Sequence, residues 1–253
     1  MQKQALLNTY VNNLNMDETV EVIESMLTSD GKNYLVAINV DVIMKIENDT
    51  YLKTIVDNAD IALVDGKPLI WISKIYKRPI KAKISGSDLV PTICEVAARK
   101  GYSIFILGGK EGIAELAKKR LENKYKKINI VGTYAPPLGY EKKEDELRKI
   151  NEMISEVHPD LLIACLGCPK QEKWIYENYN KYDAKVSICA GATVDFLAGN
   201  IKRAPQWMRE NGLEWFFRFL QEPKRLFGRY FVEDVKILGL IWKYRKAKRD
   251  LER

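Results

Sequence analysis

The sequence predicts an α/β fold: a Rossmann-like, mostly parallel sheet with helices on both faces, followed by a C-terminal basic amphipathic helical appendage. Two observations favour this class. Strand and helix signals alternate along the chain, with no internal repeat or low-complexity linker between them. The strand signals are continuous apolar runs rather than alternating patterns, which is typical of strands buried on both faces of a parallel sheet.

Six strands are predicted from these apolar runs. They span residues 33–40, 61–66, 102–109, 128–137, 160–167 and 185–192. Helices are predicted in the intervals. Asp41 is expected to cap a helix that runs to Ile46, and Ser87 or Asp88 to cap one that ends near Gly101. The other helix signals lie at residues 17–27, from 68, at 113–121, at 143–157 and from 169.

Length and composition limit the classes of protein. The chain has 253 residues, 46% hydrophobic and 30% charged, which is enough for one large domain or a domain with an appendage. We predict an α/β domain over residues 1–195 and an appendage over residues 196–253. No run approaches the roughly 20 apolar residues that span a bilayer. The N-terminus lacks the apolar core of a signal peptide, so a cytosolic protein is expected.

The net charge of +7 is concentrated at the C-terminus. Residues 200–253 hold 14 Lys and Arg against 7 Asp and Glu, whereas the rest of the chain holds 27 of each sign. This segregation predicts an anionic partner for the C-terminal segment: a nucleic acid, an anionic membrane or a phosphorylated ligand.

Residues 191–230 combine basic and aromatic side chains more densely than the rest of the sequence. Arg203 lies in a basic pair, and Arg218, Arg225 and Arg229 form a second basic series. Aromatic residues lie close together among them, including Trp207, Trp215, Phe216, Phe217 and Phe219. The combination indicates a surface that grips an anion and an apolar partner together.

The segment beyond Pro223 is predicted to form an amphipathic helix. Its apolar positions recur on one helical face: Phe227, Phe231, Val235, Leu238 and Trp242. The flanks are cationic and the end of the chain is strongly basic, which suits a helix lying on anionic lipid. The alternative is a helix that packs on the protein's own core or on a second subunit.

Candidate site residues are the polar residues where predicted strands end, because ligands of open α/β sheets bind at the carboxyl ends of the strands. They are Asn39, Asp41, Asp65, Gly108, Gly109, Gln171, Glu172 and Asp195. Asp65, followed by a glycine, is a candidate general base toward a hydroxyl, or else a helix cap or loop aspartate. Gly108 and Gly109 either let the backbone approach a phosphate or form a tight turn.

Other chemistries have weaker support. With His158 as the only histidine, no Ser-His-Asp or Cys-His arrangement is available. Cys165 and Cys168 form a Cys-x-x-Cys, read either as a redox pair or half a zinc site, or as small residues ending a buried strand. No Asp-x-Asp pair ends a strand, so a diphosphate leaving group would be neutralised by the C-terminal arginines.

Four segments closely resemble the WecG/TagA/CpsF family, glycosyltransferase family 26. They are VDGKPLIW (64–71), SGSDL (85–89), LGCPKQEKWI (166–175) and the long stretch DFLAGNIKRAPQWMRENGLEWFFRFLQEPKRLFGRY (195–230). The matching residues run in order from about residue 33 to residue 230, and the last signature is highly specific.

The resemblance implies a bacterial, membrane-associated, metal-independent, inverting glycosyltransferase that uses no cofactor. Such enzymes move a sugar from a UDP donor to an undecaprenyl-diphosphate-linked sugar on the cytoplasmic face of the membrane. One branch transfers N-acetylmannosamine to lipid-linked N-acetylglucosamine in the linkage unit of wall teichoic acid. Relatives use N-acetylmannosaminuronic acid or glucose for other surface polysaccharides. Nucleic acid is not expected as a partner.

Several residue roles follow from the resemblance alone. Asp65 matches the proposed base, and Asn39 and Gln171 match residues that line the pocket. The arginines at 218, 225 and 229 complete the pocket when lipid orders the appendage. The predicted substrate-binding set also includes Lys83, Gly108, Gly109, Asp195 and Arg203.

Three positions depart from the family pattern. Ala37 stands where threonine is common, Lys83 where arginine is usual, and Ala192 where glycine is frequent. A lysine keeps the charge of arginine but loses its bidentate fork. The departures leave the fold unaffected and bear on the identity of the sugar.

Two other classes compete with the transferase. A nucleic-acid or membrane-binding module with a basic tail predicts salt-sensitive binding to polyanions, and a nucleotide-dependent oxidoreductase predicts a role for Cys165 and Cys168. A homo-oligomer that buries the appendage in the absence of lipid is a further hypothesis.

Overall fold

The structure, a computed structural model, describes residues 3–247. It opens with an antiparallel hairpin of β1 (Lys3–Leu6) and β2 (Thr9–Asn12). The six predicted strands follow, each within its predicted segment: β3 (Asn33–Ile38), β4 (Ile61–Val64), β5 (Ser103–Gly108), β6 (Asn129–Tyr134), β7 (Leu161–Cys165) and β8 (Val186–Cys189). They form one sheet in the order β4-β3-β8-β7-β5-β6, and every pairing is parallel.

Helices cover both faces of this sheet, as predicted. The first nine are α1 (Met16–Leu27), α2 (Val40–Asn48), α3 (Thr50–Asn58), α4 (Lys67–Ile75), α5 (Gly86–Lys100), α6 (Ile113–Lys124), α7 (Glu144–Val157), α8 (Lys170–Asn178) and α9 (Thr193–Leu197). The core accordingly forms two layers. Side chains of α2, α3, α4, α7 and α8 pack on one face, and those of α1, α5, α6 and α9 on the other. Neighbouring residues of β3, Tyr34 and Leu35, enter opposite layers.

Two predicted helix caps are corrected. Asn39, not Asp41, caps α2: its Oδ1 accepts the Val42 N–H at 3.1 Å. Ser85, not Ser87 or Asp88, caps α5, where its hydroxyl oxygen accepts the Asp88 N–H at 3.2 Å. In each case the N-cap is the residue that has an extended backbone and whose side-chain oxygen accepts the free N–H three residues later.

Neither the hairpin of β1 and β2 nor helix α3 was predicted. The hairpin of β1 and β2 is short and polar, and it packs along β4, where the Asn12 Oδ1 accepts the Ala62 N–H at 2.8 Å. Helix α3 follows α2 after one residue, Asp49, which ends α2 and caps α3. The two helices are therefore not separated by a loop that the sequence pattern could show.

The chain beyond α9 is helical throughout its regular elements. It contains α10 (Gln206–Glu210), α11 (Glu214–Gln221), α12 (Pro223–Gly228), a π-helix (Arg229–Glu233), a 3₁₀ turn (Asp234–Lys236) and α13 (Ile237–Ala247). The predicted boundary between residues 195 and 196 falls inside α9, and the division into two domains stays a prediction. No helix among residues 3–247 is long and apolar enough to cross a membrane.

The predicted apolar face of the C-terminal segment is exposed. Its five residues, Phe227, Phe231, Val235, Leu238 and Trp242, each expose 47–66% of their surface. A different set packs on the core instead: Leu226, Ile237 and Leu240 are each at most 8% exposed. The strongly basic end of the sequence, residues 248–253, lies outside the described residues.

Candidate active site

The carboxyl ends of β3 and β8 open a crevice in the sheet. These strands are neighbours, yet α2, which follows β3, and α9, which follows β8, pack on opposite faces. Where the helices that follow two neighbouring strands lie on opposite faces, an open α/β sheet leaves room for a ligand between them. The C-terminal helices α11 to α13 contribute side chains above this crevice.

Two adjoining cavities lie in the crevice. The apolar cavity, of about 470 Å³, is lined by aromatic and aliphatic side chains of the C-terminal helices: Trp215, Tyr230, Phe231, Val235, Ile237 and Leu238. The polar cavity, of about 340 Å³, is lined by Asp41, Lys45, Gln171, Glu172, Thr193 and Arg225. Six residues line both: Asn39, Asp65, Ser85, Ser87, Arg218 and Arg229.

Asp65 lies at the junction of the two cavities. It follows β4 directly, and its backbone N–H donates to the Ile38 carbonyl at 2.7 Å, which fixes its position. Within residues 3–247 its half-buried carboxylate has no hydrogen-bond or ion-pair partner. Burial raises the pKa of Asp65; the Lys83 ammonium acts in the opposite direction, and the Glu214 carboxylate adds to the rise. An unpartnered carboxylate with a raised pKa is suited to accepting a proton.

Asn39 and Gln171 occupy the positions expected of pocket residues. Asn39 lines both cavities while it caps α2. The buried Gln171 accepts the Gly191 N–H on Oε1 at 3.0 Å and donates from Nε2 to Glu172 at 2.8 Å. Gln171 thereby fixes the turn between β8 and α9, which forms one wall of the polar cavity.

Three of the four predicted arginines come together at the cavities. Arg218 and Arg229 line both, and Arg225 lines the polar one. The Arg218 guanidinium lies 5.6 Å from the centre of the Phe196 ring, and Arg225 pairs with Glu222 through Nε at 3.0 Å. These arginines arise from α11, α12 and the π-helix, so the C-terminal helices supply guanidinium groups to the site.

Four predicted site residues line neither cavity: Gly108, Gly109, Asp195 and Arg203. A Cβ at Gly108 would lie 2.4 Å from the Cys165 carbonyl oxygen, and one at Gly109 would lie 3.0 Å from Val194. Both glycines also adopt positive φ, so the packing of β5 against β7 and α9 already requires them. Asp195 accepts the Asn200 side-chain amide at 2.9 Å. Their contact with a substrate stays a prediction.

Arg203 belongs to an ion-pair cluster beside the apolar cavity, with Lys83, Asp88, Arg209 and Glu214. The Lys83 Nζ lies 2.9 Å from Asp88 and 3.3 Å from Glu214. Arg203 pairs with Asp88 and lies 3.6 Å from Glu214. Burial opposes the ionisation of Asp88, but the Ser85 hydroxyl and the Lys83 ammonium outweigh it and hold the pKa of Asp88 well below its usual range.

A second charged cluster was missed from the sequence. The Lys45 Nζ donates to Asp41 at 2.7 Å, and the Arg229 Nε lies 3.7 Å from Asp41 and 3.8 Å from Asp234. Burial raises the pKa of Asp234 to about 6 against the opposing charge of Arg229. The i,i+4 spacing of Asp41 and Lys45 is a readable signal. Arg229 and Asp234 are five residues apart and meet across the π-helix, whose turn is wider than an α-turn.

The surroundings of the cysteine pair, Cys165 and Cys168, disfavour the thiolate form. Burial raises the pKa of Cys165 to about 12 and that of the half-buried Cys168 beyond the usual thiol range. The thiolate is the reactive form of cysteine, and these surroundings disfavour it. Among residues 3–247 no group of three or more His, Cys, Asp or Glu side chains is placed to hold a metal ion.

Comparison with known proteins places the chain in a family. A relative from Staphylococcus aureus (strain MRSA252), an N-acetylglucosaminyldiphosphoundecaprenol N-acetyl-beta-D-mannosaminyltransferase, is 27% identical over 99% of this chain and 95% of its own. A protein of the same name from Bacillus subtilis (strain 168) is 26% identical over 89% of this chain and 86% of its own. The profile of the glycosyl transferase WecG/TagA/CpsF family matches residues 4–251. The chain belongs to the WecG/TagA/CpsF family of glycosyl transferases.

Proposed function

We propose that the protein transfers N-acetylmannosamine from UDP-N-acetylmannosamine to N-acetylglucosamine carried on undecaprenyl diphosphate. The relatives from S. aureus and B. subtilis are named for the transfer of this sugar to this lipid-linked acceptor. The reaction proceeds with inversion at the anomeric carbon and without a metal ion. Its product is the linkage unit of wall teichoic acid.

The observation that carries the proposal is the position of Asp65 between two cavities of different chemistry. The polar cavity offers arginines and amides to a nucleotide diphosphate and a sugar, and the apolar cavity offers aromatic and aliphatic side chains to a lipid-linked acceptor. A base at their junction reaches the acceptor hydroxyl at the point where it meets the donor sugar.

The chemistry follows from this placement. The Asp65 carboxylate removes the proton of the acceptor hydroxyl, and the hydroxyl oxygen attacks the anomeric carbon from the face opposite the diphosphate. The bond from the anomeric carbon to the β-phosphate oxygen breaks, and its electron pair leaves with UDP. The new glycosidic bond has the opposite anomeric configuration. A correctly placed general base contributes a factor of about 10²–10⁴ to such a step.

The arginines account for the departure of UDP without a metal ion. Arg218, Arg225 and Arg229 all line the polar cavity. Guanidinium groups bind diphosphate oxygens in bidentate fashion, and in a cavity shielded from water they neutralise the charge that develops on the leaving group. We therefore expect full activity in the presence of a chelator.

Two other donors are the alternatives, UDP-N-acetylmannosaminuronic acid and UDP-glucose, for a different surface polysaccharide. A uronic acid needs a cation for its carboxylate in addition to those that bind the diphosphate. The lysine of the polar cavity, Lys45, is already paired with Asp41 at 2.7 Å. This pairing favours a sugar without charge. Ala37 and Ala192, two departures from the family pattern, also line the polar cavity and bear on the same choice.

We also propose that the protein works on the inner face of the cell membrane as a peripheral protein. Among residues 3–247, seventeen large hydrophobic side chains are exposed, and eleven of them lie between residues 207 and 242. The basic excess of residues 200–253 accompanies them. Exposed apolar side chains with cationic neighbours bind anionic lipid, which brings the apolar cavity to the lipid-linked acceptor.

The experiment that tests the function measures UDP release with a lipid-diphosphate N-acetylglucosamine acceptor and each of the three donors, with and without a chelator. We expect acceptor-dependent release from UDP-N-acetylmannosamine, unchanged by the chelator, and a β-linked product. Release from one of the other donors alone would replace the donor in the proposal. No release from any of them would contradict the proposed function.

A further inference from the structure

The ion-pair cluster beside Asp65 contains a lysine clamped between two carboxylates. Lys83 exposes only 13% of its side chain, and its Nζ lies 2.9 Å from the Asp88 Oδ2 and 3.3 Å from the Glu214 Oε2. Although Lys83 and Asp65 line the same cavity, their charged groups form no ion pair within 4 Å. The ammonium is therefore turned toward the cluster rather than toward Asp65.

The residues of this clamp come from two distant parts of the chain. Lys83 and Asp88 lie just before and within α5, whereas Glu214 is the first residue of α11. Glu214 is held in place by Arg203, whose Nε lies 3.6 Å from its Oε1. The second carboxylate reaches Lys83 only when the C-terminal helices are docked as the structure shows them.

The direction in which the Lys83 ammonium points affects how readily the Asp65 carboxylate accepts a proton. An ammonium paired directly with a carboxylate stabilises the ionised form and makes it a weaker proton acceptor. Brønsted behaviour then lowers the rate of proton transfer to it. A second carboxylate that draws the ammonium away preserves the basicity of the first.

We propose that Glu214 is a positioning residue: it holds the Lys83 ammonium in the cluster and away from Asp65, so that Asp65 remains a competent proton acceptor. The inference rests on the proposed function, in which Asp65 is the base. It also ties the competence of Asp65 to the docking of α11, because without Glu214 only Asp88 competes for Lys83.

The charges around Asp65 are consistent with this role. Burial is the main cause of its raised pKa, Lys83 lowers the pKa, and Glu214 raises it. Asp88 and Arg218 also act on Asp65. The remaining charged groups of the two cavities come from several elements: Lys67, Arg209, Arg229 and Asp234 line the apolar cavity, and Asp41, Lys45, Glu172 and Arg225 line the polar one. Burial would lower the pKa of Lys83, but Asp88 and Glu214 outweigh it, so Lys83 stays charged at neutral pH.

The test is the pH dependence of kcat/KM for acceptor-dependent UDP release, whose acidic limb reports the ionisation of the base. Four proteins are compared with wild type: Glu214→Gln, Lys83→Gln, the double variant and the control Glu210→Gln. Glu210 lies in the neighbouring α10, where it accepts the Gln206 side-chain amide at 2.7 Å and lines neither cavity.

We expect Glu214→Gln to move the acidic limb to lower pH by about 0.5 unit or more, which is about threefold in rate at a fixed pH on that limb. Lys83→Gln should move it to higher pH. If Glu214 acts through Lys83, adding Glu214→Gln to Lys83→Gln should shift the limb less than it shifts wild type. Glu210→Gln should leave the limb in place.

Two outcomes overturn the inference. A limb of Glu214→Gln that does not move to lower pH, whatever the loss of activity and whatever Lys83→Gln does, would show that Glu214 has a merely structural role. If wild type releases no UDP with any donor, both the proposed function and this inference fail. If wild type is active and only the predicted shift is missing, the inference alone fails. Should Glu214→Gln not fold, the shift in Lys83→Gln alone decides, since a limb that moves to lower pH or stays in place contradicts the clamp.

Discussion

Asp65 is unusual as a residue because its carboxylate is half-buried and has no partner among residues 3–247. Carboxylates removed from water are ordinarily paired or hydrogen-bonded, since desolvation of an ion is costly. The cost here is met by the rest of the fold, and a site that retains such a group is typical of a catalytic position. The clamp on Lys83 contributes to this, because it keeps the ammonium from pairing with the Asp65 carboxylate.

At the same scale, Arg218 is predicted to be a main contact of the donor diphosphate. It lines both cavities and has no ion pair within residues 3–247, whereas Arg225 pairs with Glu222 and Arg229 lies between Asp41 and Asp234. Arg218→Met should weaken UDP binding about 10- to 100-fold, since a hydrogen bond to a charged group contributes about 1.5–3 kcal/mol. Titration calorimetry with UDP measures it.

The matched control for Arg218 is Arg148→Met. Arg148 is exposed on α7, where it pairs with Asp145 at 2.7 Å, and it lines neither cavity. Its replacement should leave UDP binding within twofold of wild type. Equal affinities for UDP in wild type and Arg218→Met would remove Arg218 from the donor site.

The sequence predicted some site residues because their signal is local. Asn39, Asp65 and Gln171 lie at or after strand ends, and the structure brings all three to the cavities. Gly108 and Gly109 carry the same signal for another reason, the close packing of β5 against β7 and α9. Lys45 was missed although its i,i+4 spacing from Asp41 is readable. Asp234 could not be recognised, since its proximity to Arg229 depends on a π-helix.

At the scale of elements, α13 has two apolar faces with different environments. Ile237 and Leu240 are buried in the core, whereas Leu238 on the same helix is 66% exposed. Polar contacts hold the buried face in place: the Tyr244 hydroxyl donates to Glu47 at 3.0 Å, and the Tyr76 hydroxyl donates to the Ile241 carbonyl at 2.9 Å. The helix is docked on the body and still presents an apolar surface.

This difference predicts unequal costs for two identical substitutions. Leu240→Ala should reduce the free energy of unfolding by about 2–3 kcal/mol, because it removes packed methyl groups and leaves a cavity. Leu238→Ala should change it by less than about 0.5 kcal/mol, as is usual for exposed positions. Denaturant unfolding of both variants measures the difference. Equal losses would mean that α13 is not docked through Leu240.

Some strands and helices could be located from the sequence and others could not, for physical reasons. The apolar runs located all six strands of the parallel sheet, and the periodic signals located most of the longer helices, because both patterns lie in consecutive residues. The segment after Pro223 was predicted as one amphipathic helix, yet the structure passes through an α-helix, a π-helix, a 3₁₀ turn and α13. The π-helix, the 3₁₀ turn and α13 all contact α2, and such tertiary contacts are not visible in the sequence pattern.

At the scale of the molecule, charge and apolar surface are segregated to the C-terminal part, which predicts a salt-sensitive, lipid-dependent association. Vesicles containing phosphatidylglycerol should sediment the protein better than vesicles of phosphatidylcholine, and less well at high salt. The double variant Phe227→Ser and Leu238→Ser removes two exposed apolar side chains, each worth about 1.5–3 kcal/mol when fully buried. Binding should weaken at least tenfold.

The control for vesicle binding is Leu116→Ser, which removes a partly exposed leucine of α6, outside the C-terminal helices. It should sediment like wild type. Equal sedimentation of the double variant and wild type would contradict a membrane role for the exposed apolar side chains of residues 207–242.

The role of Asp65 as the base of a glycosyl transfer between the two cavities is tested by replacing its carboxylate with an amide. Acceptor-dependent UDP release at saturating UDP-N-acetylmannosamine is measured for wild type and Asp65→Asn, together with UDP affinity. We predict a fall in rate of about 10²–10⁴-fold, with UDP affinity within a few-fold of wild type. A variant that retains wild-type release would contradict this role, because the amide cannot accept the proton.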